Sequence, residues 1–159
     1  MTLLVLLMVS AASPDYTQHE GIQQLYRIHC LKRSQAGLPS QRLCPRLCGR
    51  AQRWANTMAA SHSMRHSGMR IRENVAAGQR STRQVMSDWM NSSGHRANLL
   101  SVGVEVGFGY QASSSGKLYW VSLHSGGSSM NITRKTTSHS RYQAPKKRRK
   151  FLRLPRRRR

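Results

Sequence analysis

The chain has 159 residues and carries 27 lysines and arginines against five acidic residues, a formal net charge of +22. That length fits one domain rather than several, and no apolar run reaches the ~18 residues that a membrane-spanning helix needs. The charge points to acidic partners, among them anionic lipid headgroups, anionic wall polymers and nucleic acid, without choosing between them.

Met1 to Ser13, MTLLVLLMVSAAS, runs from an apolar stretch at Leu3 to Val9 into small residues. This predicts a secretory signal, with Val9 and Ala11 placed for cleavage after Ala11, although no lysine or arginine precedes the run. Ile22, Leu25, Tyr26 and His29 then fall at helical spacing, and Ala36-Gly37-Leu38-Pro39 ends that helix. A second helix is predicted from about Pro45 to Ala60. Leu47, Ala51, Trp54, Ala55 and Met58 form its apolar stripe, and Arg46, Arg50 and Arg53 lie largely off it. The stripe is read as core.

Cys30, Cys44 and Cys48 are an odd number, and C-x3-C without a second pair does not match the paired spacings of zinc sites. Buried thiols are expected. The alternative, if the protein is exported, is one disulfide with one thiol left over.

A third helix starts at Ser81, where Gln84 three residues later matches the capping-box pattern. Val85, Met86, Trp89 and Met90 give it one apolar face. Asn91-Ser92-Ser93-Gly94 should end it, with Gly94 in the left-handed cap conformation and His95 directly after. From Val102 to Tyr110 the period becomes two: Val102, Val104, Val106, Phe108 and Tyr110 alternate with Gly103, Glu105, Gly107 and Gly109. Something must pack closely against the glycine face. Ser113-Ser114-Ser115-Gly116 turns the chain into a second strand, Leu118 to Leu123, giving an antiparallel hairpin. Beyond Gly126 the composition shifts, and Arg134 to Arg159 holds 13 basic and no acidic residues. Residues 127–159 are therefore expected to form a disordered basic tail.

Several of these stretches together carry a resemblance. HSG at His66, then ENVAAG from Glu73, then VMSDWMNSSGHRANLL from Val85, then EVGFGY from Glu105 and YWV from Tyr119, resemble the CAP superfamily of cysteine-rich secretory, antigen 5 and pathogenesis-related proteins. The nearest likeness is to its small, single-domain SCP-like members. AGLP at Ala36 and RAQRWA at Arg50 fit the same pattern. The resemblance covers about residues 18–126. It implies an α+β fold, an α-β-α sandwich with a small antiparallel sheet between helices. Cys44 stands where the family usually has an acidic residue, and Arg72 stands where it usually has glycine.

The resemblance also groups residues that spacing alone leaves apart. His66, Glu73 and His95 match three members of the family's cavity tetrad of two histidines and two glutamates, which in some members binds a divalent cation such as zinc. The fourth position is occupied by Ser92. Two imidazoles and a carboxylate are donor types of a catalytic zinc set. The same trio also reads as a hydrogen-bonded cluster that ties loops to a helix, because buried polar groups need partners in any fold. Glu105 matches the family's E-V-G-V-G glutamate and is expected to form a strand-end salt bridge.

No nucleophile context of the G-x-S-x-G kind, phosphate loop or dinucleotide fingerprint occurs. Three functions remain. The leading one is a secreted, noncatalytic domain binding lipid, cell-wall polymer or protein ligands through a groove with the His/Glu cavity. The second is a basic nucleic-acid-binding protein, and the third is a divalent-metal-dependent hydrolase. The basic tail is expected to hold anionic surfaces or polymers in either of the first two.

Overall fold

The computed structural model describes residues 14–125. The signal expected at 1–13 and the basic tail expected at 127–159 lie outside them. A 3-10 turn at Tyr16–Gln18 leads into α1 (Glu20–Gln35), followed by β1 (Arg42–Leu43), α2 (Pro45–Ala60), β2 (Arg72–Ala77), α3 (Thr82–Asn91), α4 (Ser93–Leu99), β3 (Glu105–Ala112) and β4 (Leu118–His124). The four strands form one sheet in the order β1-β3-β4-β2.

The sheet lies between two helical layers. On one face, Ile22 and Leu25 of α1, Val85, Met86 and Trp89 of α3 and Leu99 of α4 pack on Val106, Phe108 and Trp120. On the other, Leu47, Ala51, Ala55 and Met58 of α2 meet Val75, Tyr119, Val121 and Leu123. This is the α-β-α sandwich. The β3–β4 hairpin and the β2–β4 pairing are antiparallel. The sheet departs from the expected all-antiparallel form at one edge, where β1 runs parallel to β3 with Arg42 opposite Glu105 and Leu43 opposite Val106. Pro45 opens α2 two residues later, so β1 has no room to extend. Beyond its end Gln52 takes over: its amide oxygen accepts the Tyr110 N–H and its nitrogen donates to the Tyr110 carbonyl.

The expected glycine face is covered by α2 itself. A Cβ at Gly107 would fall inside contact distance of the Leu47 and Cys48 backbone, and one at Gly109 would collide with Ala51 and Gln52. Helix and strand touch backbone to backbone here, which only glycine allows. The strand begins later than its sequence period suggests. β3 starts at Glu105, and Val102 and Val104 are exposed, because the chain just before it is drawn toward α1: Arg33 Nη1 donates to the Leu99 and Ser101 carbonyls and Gln41 Nε2 to that of Gly103.

At α3 the cap is as expected at one end only. Ser81 Oγ accepts the Gln84 N–H, while the Gln84 side chain accepts from Arg80, one residue before the usual capping-box partner. At the other end Ser92, with ψ 123°, breaks the helix and opens α4. Gly94 therefore lies inside α4 and is no left-handed cap, and His95 is helical. Among the described residues no helix is long and apolar enough to cross a membrane.

Gly107→Ala and Gly109→Ala should each destabilise the fold by about 1–3 kcal/mol through overpacking against helix backbone. Gly94→Ala meets nothing within 4 Å and should be neutral or stabilising by up to ~1 kcal/mol. Urea denaturation of the three variants checks this ranking, and equal losses at all three would contradict it.

Candidate functional site

Glu73 enters β2 opposite Leu123 of β4, and its carboxylate is buried with 8% of the residue exposed. Chain geometry brings two donors to one of its oxygens: His66 Nδ1 lies 2.8 Å from Oε1, and the Ser67 backbone N–H donates to the same atom at 3.0 Å. A carboxylate only accepts, so Nδ1 carries the proton. The loop bearing His66 is fixed from below by Trp54 of α2, whose indole N–H donates to the Arg65 carbonyl at 3.0 Å. The imidazole of His66 remains largely exposed. Oε2 of Glu73 is buried without a hydrogen-bond partner.

His95 arrives from the far side of β2. Asn74 donates to its backbone carbonyl at 3.1 Å, and Asn98 donates to both the Asn74 amide oxygen and the Glu73 carbonyl. These bonds dock α4 on the edge strand. Burial lowers the pKa of His95, and the charge of His66 lowers it further, so the two imidazoles are close enough to sense one another.

A zinc ion here would take His66, Glu73 and His95 as its donors. The donor types are suitable, yet among the described residues no group of three or more His, Cys, Asp or Glu side chains is gathered to hold a metal ion. Oε1 of Glu73 is already committed to protein donors, and Ser92 contributes no carboxylate. Asp88, the remaining acid on α3, accepts from Gln79 Nε2 at 3.0 Å and is exposed. Glu105 is bound by Arg42 and has Arg46 at 3.8 Å, a strand-end ion pair. All three cysteines are free, with Cys44 and Cys48 buried. Burial pushes the Cys48 thiol up to about 11, which leaves it un-ionised and unreactive at neutral pH.

A second polar cluster was not foreseen from the sequence. Gln41 Nε2 donates to the Gly103 carbonyl at 2.9 Å, which fixes the amide so that Oε1 faces two histidines, His29 Nε2 at 3.0 Å and His124 Nδ1 at 3.3 Å. Both ring nitrogens must donate to it, so His124 Nε2 accepts from the Ser122 hydroxyl at 3.0 Å. The Ser122-His124-Gln41 chain has the connectivity of a nucleophile, a base and an orienting group. Ser122, His124 and His29 are all fully buried, so no substrate reaches the serine, and the cluster ties α1 to the sheet instead. The one sequence signal for it was His29 on the apolar face of α1.

The family model of the cysteine-rich secretory protein (CAP) family matches residues 26–124. The uncharacterized protein YkwD of Bacillus subtilis is 46% identical over 44 residues, a stretch that is 27% of this chain and 17% of that protein. Among solved structures, an outer surface protein of Borrelia burgdorferi superposes with a TM-score of 0.59 at 18% identity, over 64% of this chain and 89% of that one. An extracellular SCP-domain protein from Bacillus anthracis gives 0.55 at 21% identity, over 65% of this chain and 40% of its own. Venom allergen-like protein 4 of Schistosoma mansoni gives 0.53 at 15%, over 69% and 90%. These structural likenesses establish the fold.

The buried histidines set an acid limit. Burial lowers the His29 pKa to about 4, and burial with the neighbouring His29, Arg33 and Arg72 charges holds His124 well below its ordinary value. The unfolded chain takes up these protons near pH ~6.5, so it binds more protons than the fold does between there and pH ~4. Stability is full above that window and falls with pH through it, by about 3 kcal/mol for His29. Urea midpoints measured across the window should drop steadily, and His29→Gln should flatten the slope. A pH-independent midpoint would contradict the assignment.

Proposed function

This chain belongs to the cysteine-rich secretory protein family, and from that premise we propose that it works outside the cell as a noncatalytic binding domain for lipid, wall-polymer or protein ligands. The observation that carries the reading is the state of Glu73. Its reachable chemistry is spent on holding His66 and Ser67 in place, as suits a pre-formed polar seat beside His95 better than a base waiting for a proton. The surroundings support it: the Ser–His pair that has nucleophile connectivity is sealed in the core, and the buried thiol of Cys48 is held protonated. An extracellular setting fits the sequence of residues 1–13 and the descriptions of the Bacillus anthracis and Borrelia burgdorferi structures.

The basic segment 127–159 adds affinity for polyanions in this proposal, because each neutralised anionic group releases a condensed counterion.

Turnover of ester, peptide and glycan model substrates should be the same for the protein and for His66→Ala, with or without a chelator. A chelator-sensitive activity that disappears in His66→Ala would overturn the noncatalytic reading in favour of a hydrolase. Removing Lys146 to Arg159 should flatten the dependence of log affinity on log salt for a polyanion such as heparin. An unchanged slope would place those contacts on the folded body.

A further inference from the structure

We propose that the outer face of α2 carries a site for a small phosphate ester, beside the Glu73 cluster, with which it shares Ser67, and independent of whether the domain is catalytic. A depression of about 200 Å³ lies there, lined by Arg50, Arg53, Trp54, Thr57, Ser67 and Met69. A second depression, of about 450 Å³ near His62 and Ser114, has no guanidinium in its wall.

Arg46, Arg50 and Arg53 follow one another at helical spacing along α2 and share its outward stripe. Arg46 is turned toward Glu105. Arg50 and Arg53 have no carboxylate partner among the described residues, where the ion pairs are those of Glu105 and Glu73. The Arg50 guanidinium rests against Met69 Sδ at 2.9 Å, and a thioether sulfur is a weak acceptor that neutralises nothing. Two uncompensated cations side by side repel one another unless an anion joins them.

The remaining wall specifies which anion. Ser67 Oγ accepts from the Met69 N–H at 3.2 Å, which leaves its own proton free to donate. The Thr57 hydroxyl is spent on the Arg53 carbonyl. Two planar guanidinium forks and one hydroxyl offer donors in several directions, more than the two oxygens of a carboxylate accept well, and match the three free oxygens and double charge of a phosphate monoester. Trp54 supplies an apolar surface for the carbon part of the ester. Arg65 lies over that ring, 5.3 Å from its centroid, and the indole bond to the Arg65 carbonyl holds it in place. The volume is below the ~300–1,000 Å³ of sites that enclose drug-sized ligands, so the ligand is a single headgroup or small sugar phosphate. Ser67 also donates its N–H to Glu73, which couples occupancy of this pocket to the loop that holds His66.

The basic segment 127–159 would mask such a site in any bulk binding assay, so the test needs a local readout. Glycerol phosphate is titrated into the full chain while the indole N–H signals are followed by NMR. The Trp54 signal should shift saturably, the buried Trp89 and Trp120 signals should stay fixed, and sodium acetate at equal ionic strength should give no saturable shift. Arg53→Gln, at an exposed position, should weaken the response at least tenfold and Arg50→Gln similarly. Vesicles of phosphatidylcholine with phosphatidic acid then separate the sources. Loss of the Trp54 response to vesicles in Arg53→Gln assigns a lipid headgroup, whereas a response confined to glycerol phosphate assigns a soluble ester. No saturable Trp54 shift, a shift unchanged in both variants, an equal response to acetate, or a response to single-stranded DNA alone would each overturn the proposal.

Discussion

Helix α2 lies backbone against backbone on β3 because Gly107 and Gly109 carry no Cβ to hold it away, and the remaining architecture is placed by that contact. The close approach lets Leu47, Ala51, Ala55 and Met58 reach the sheet with short side chains and close one layer of core. It brings Gln52 within reach of Tyr110, where its amide continues the sheet ladder that β1 abandons. It also fixes the opposite face of the helix, with its arginines, toward solvent. Trp54 projects from the same helix to catch the carbonyl of Arg65, so the seat of α2 decides where His66 meets Glu73.

Acid groups are scarce in this chain, and four of the five are bonded to named protein groups. Asp15 caps the first turn through Thr17, Glu20 stands in the first turn of α1, Asp88 accepts from Gln79, Glu105 holds Arg42, and Glu73 holds His66 and Ser67. The two buried ones sit toward the same end of the sheet, Glu73 in β2 holding the loop at His66 and Ser67 and Glu105 in β3 holding Arg42 of β1. Among the described residues most arginines have no carboxylate partner, and the outward stripe of α2 holds three of the twelve, Arg46, Arg50 and Arg53. In the Gln41 cluster an amide and two uncharged imidazoles avoid the cost of burying ions, while the buried Arg33 is satisfied by the Pro39, Leu99 and Ser101 carbonyls.

Much of this was legible in the sequence where one element's own period decides it. The bounds of α2 follow from Pro45 at its start and an uninterrupted stripe to Ala60, and the bare face of β3 announces a close neighbour without naming it. Misreadings occurred where tertiary bonds override local pattern. Val102 and Val104 continue the alternation of β3, yet the pull of Arg33 and Gln41 on the preceding carbonyls delays the strand. Gly94 looks like a helix stop, but extended backbone at Ser92 restarts the chain as α4. β1 is too short to have a period at all. The cluster of His29, Gln41 and His124 is closed by a bond between residues 83 positions apart, Gln41 and His124, beyond any local signal. His66, Glu73 and His95 were grouped only through the family resemblance; in the structure His66 bonds Glu73 directly, and His95 is held through its backbone carbonyl by Asn74.

The central claim is that Glu73 is a tether for the His66 loop, organised by protein donors and not by a metal. A double-mutant cycle on His66→Ala and Glu73→Gln, with stability measured by urea denaturation in the presence and absence of zinc, tests it most directly. The account predicts a coupling of about 1–2 kcal/mol between the two side chains that zinc leaves unchanged. Additive single effects, or a zinc-dependent rise in stability that vanishes in the double variant, would contradict it.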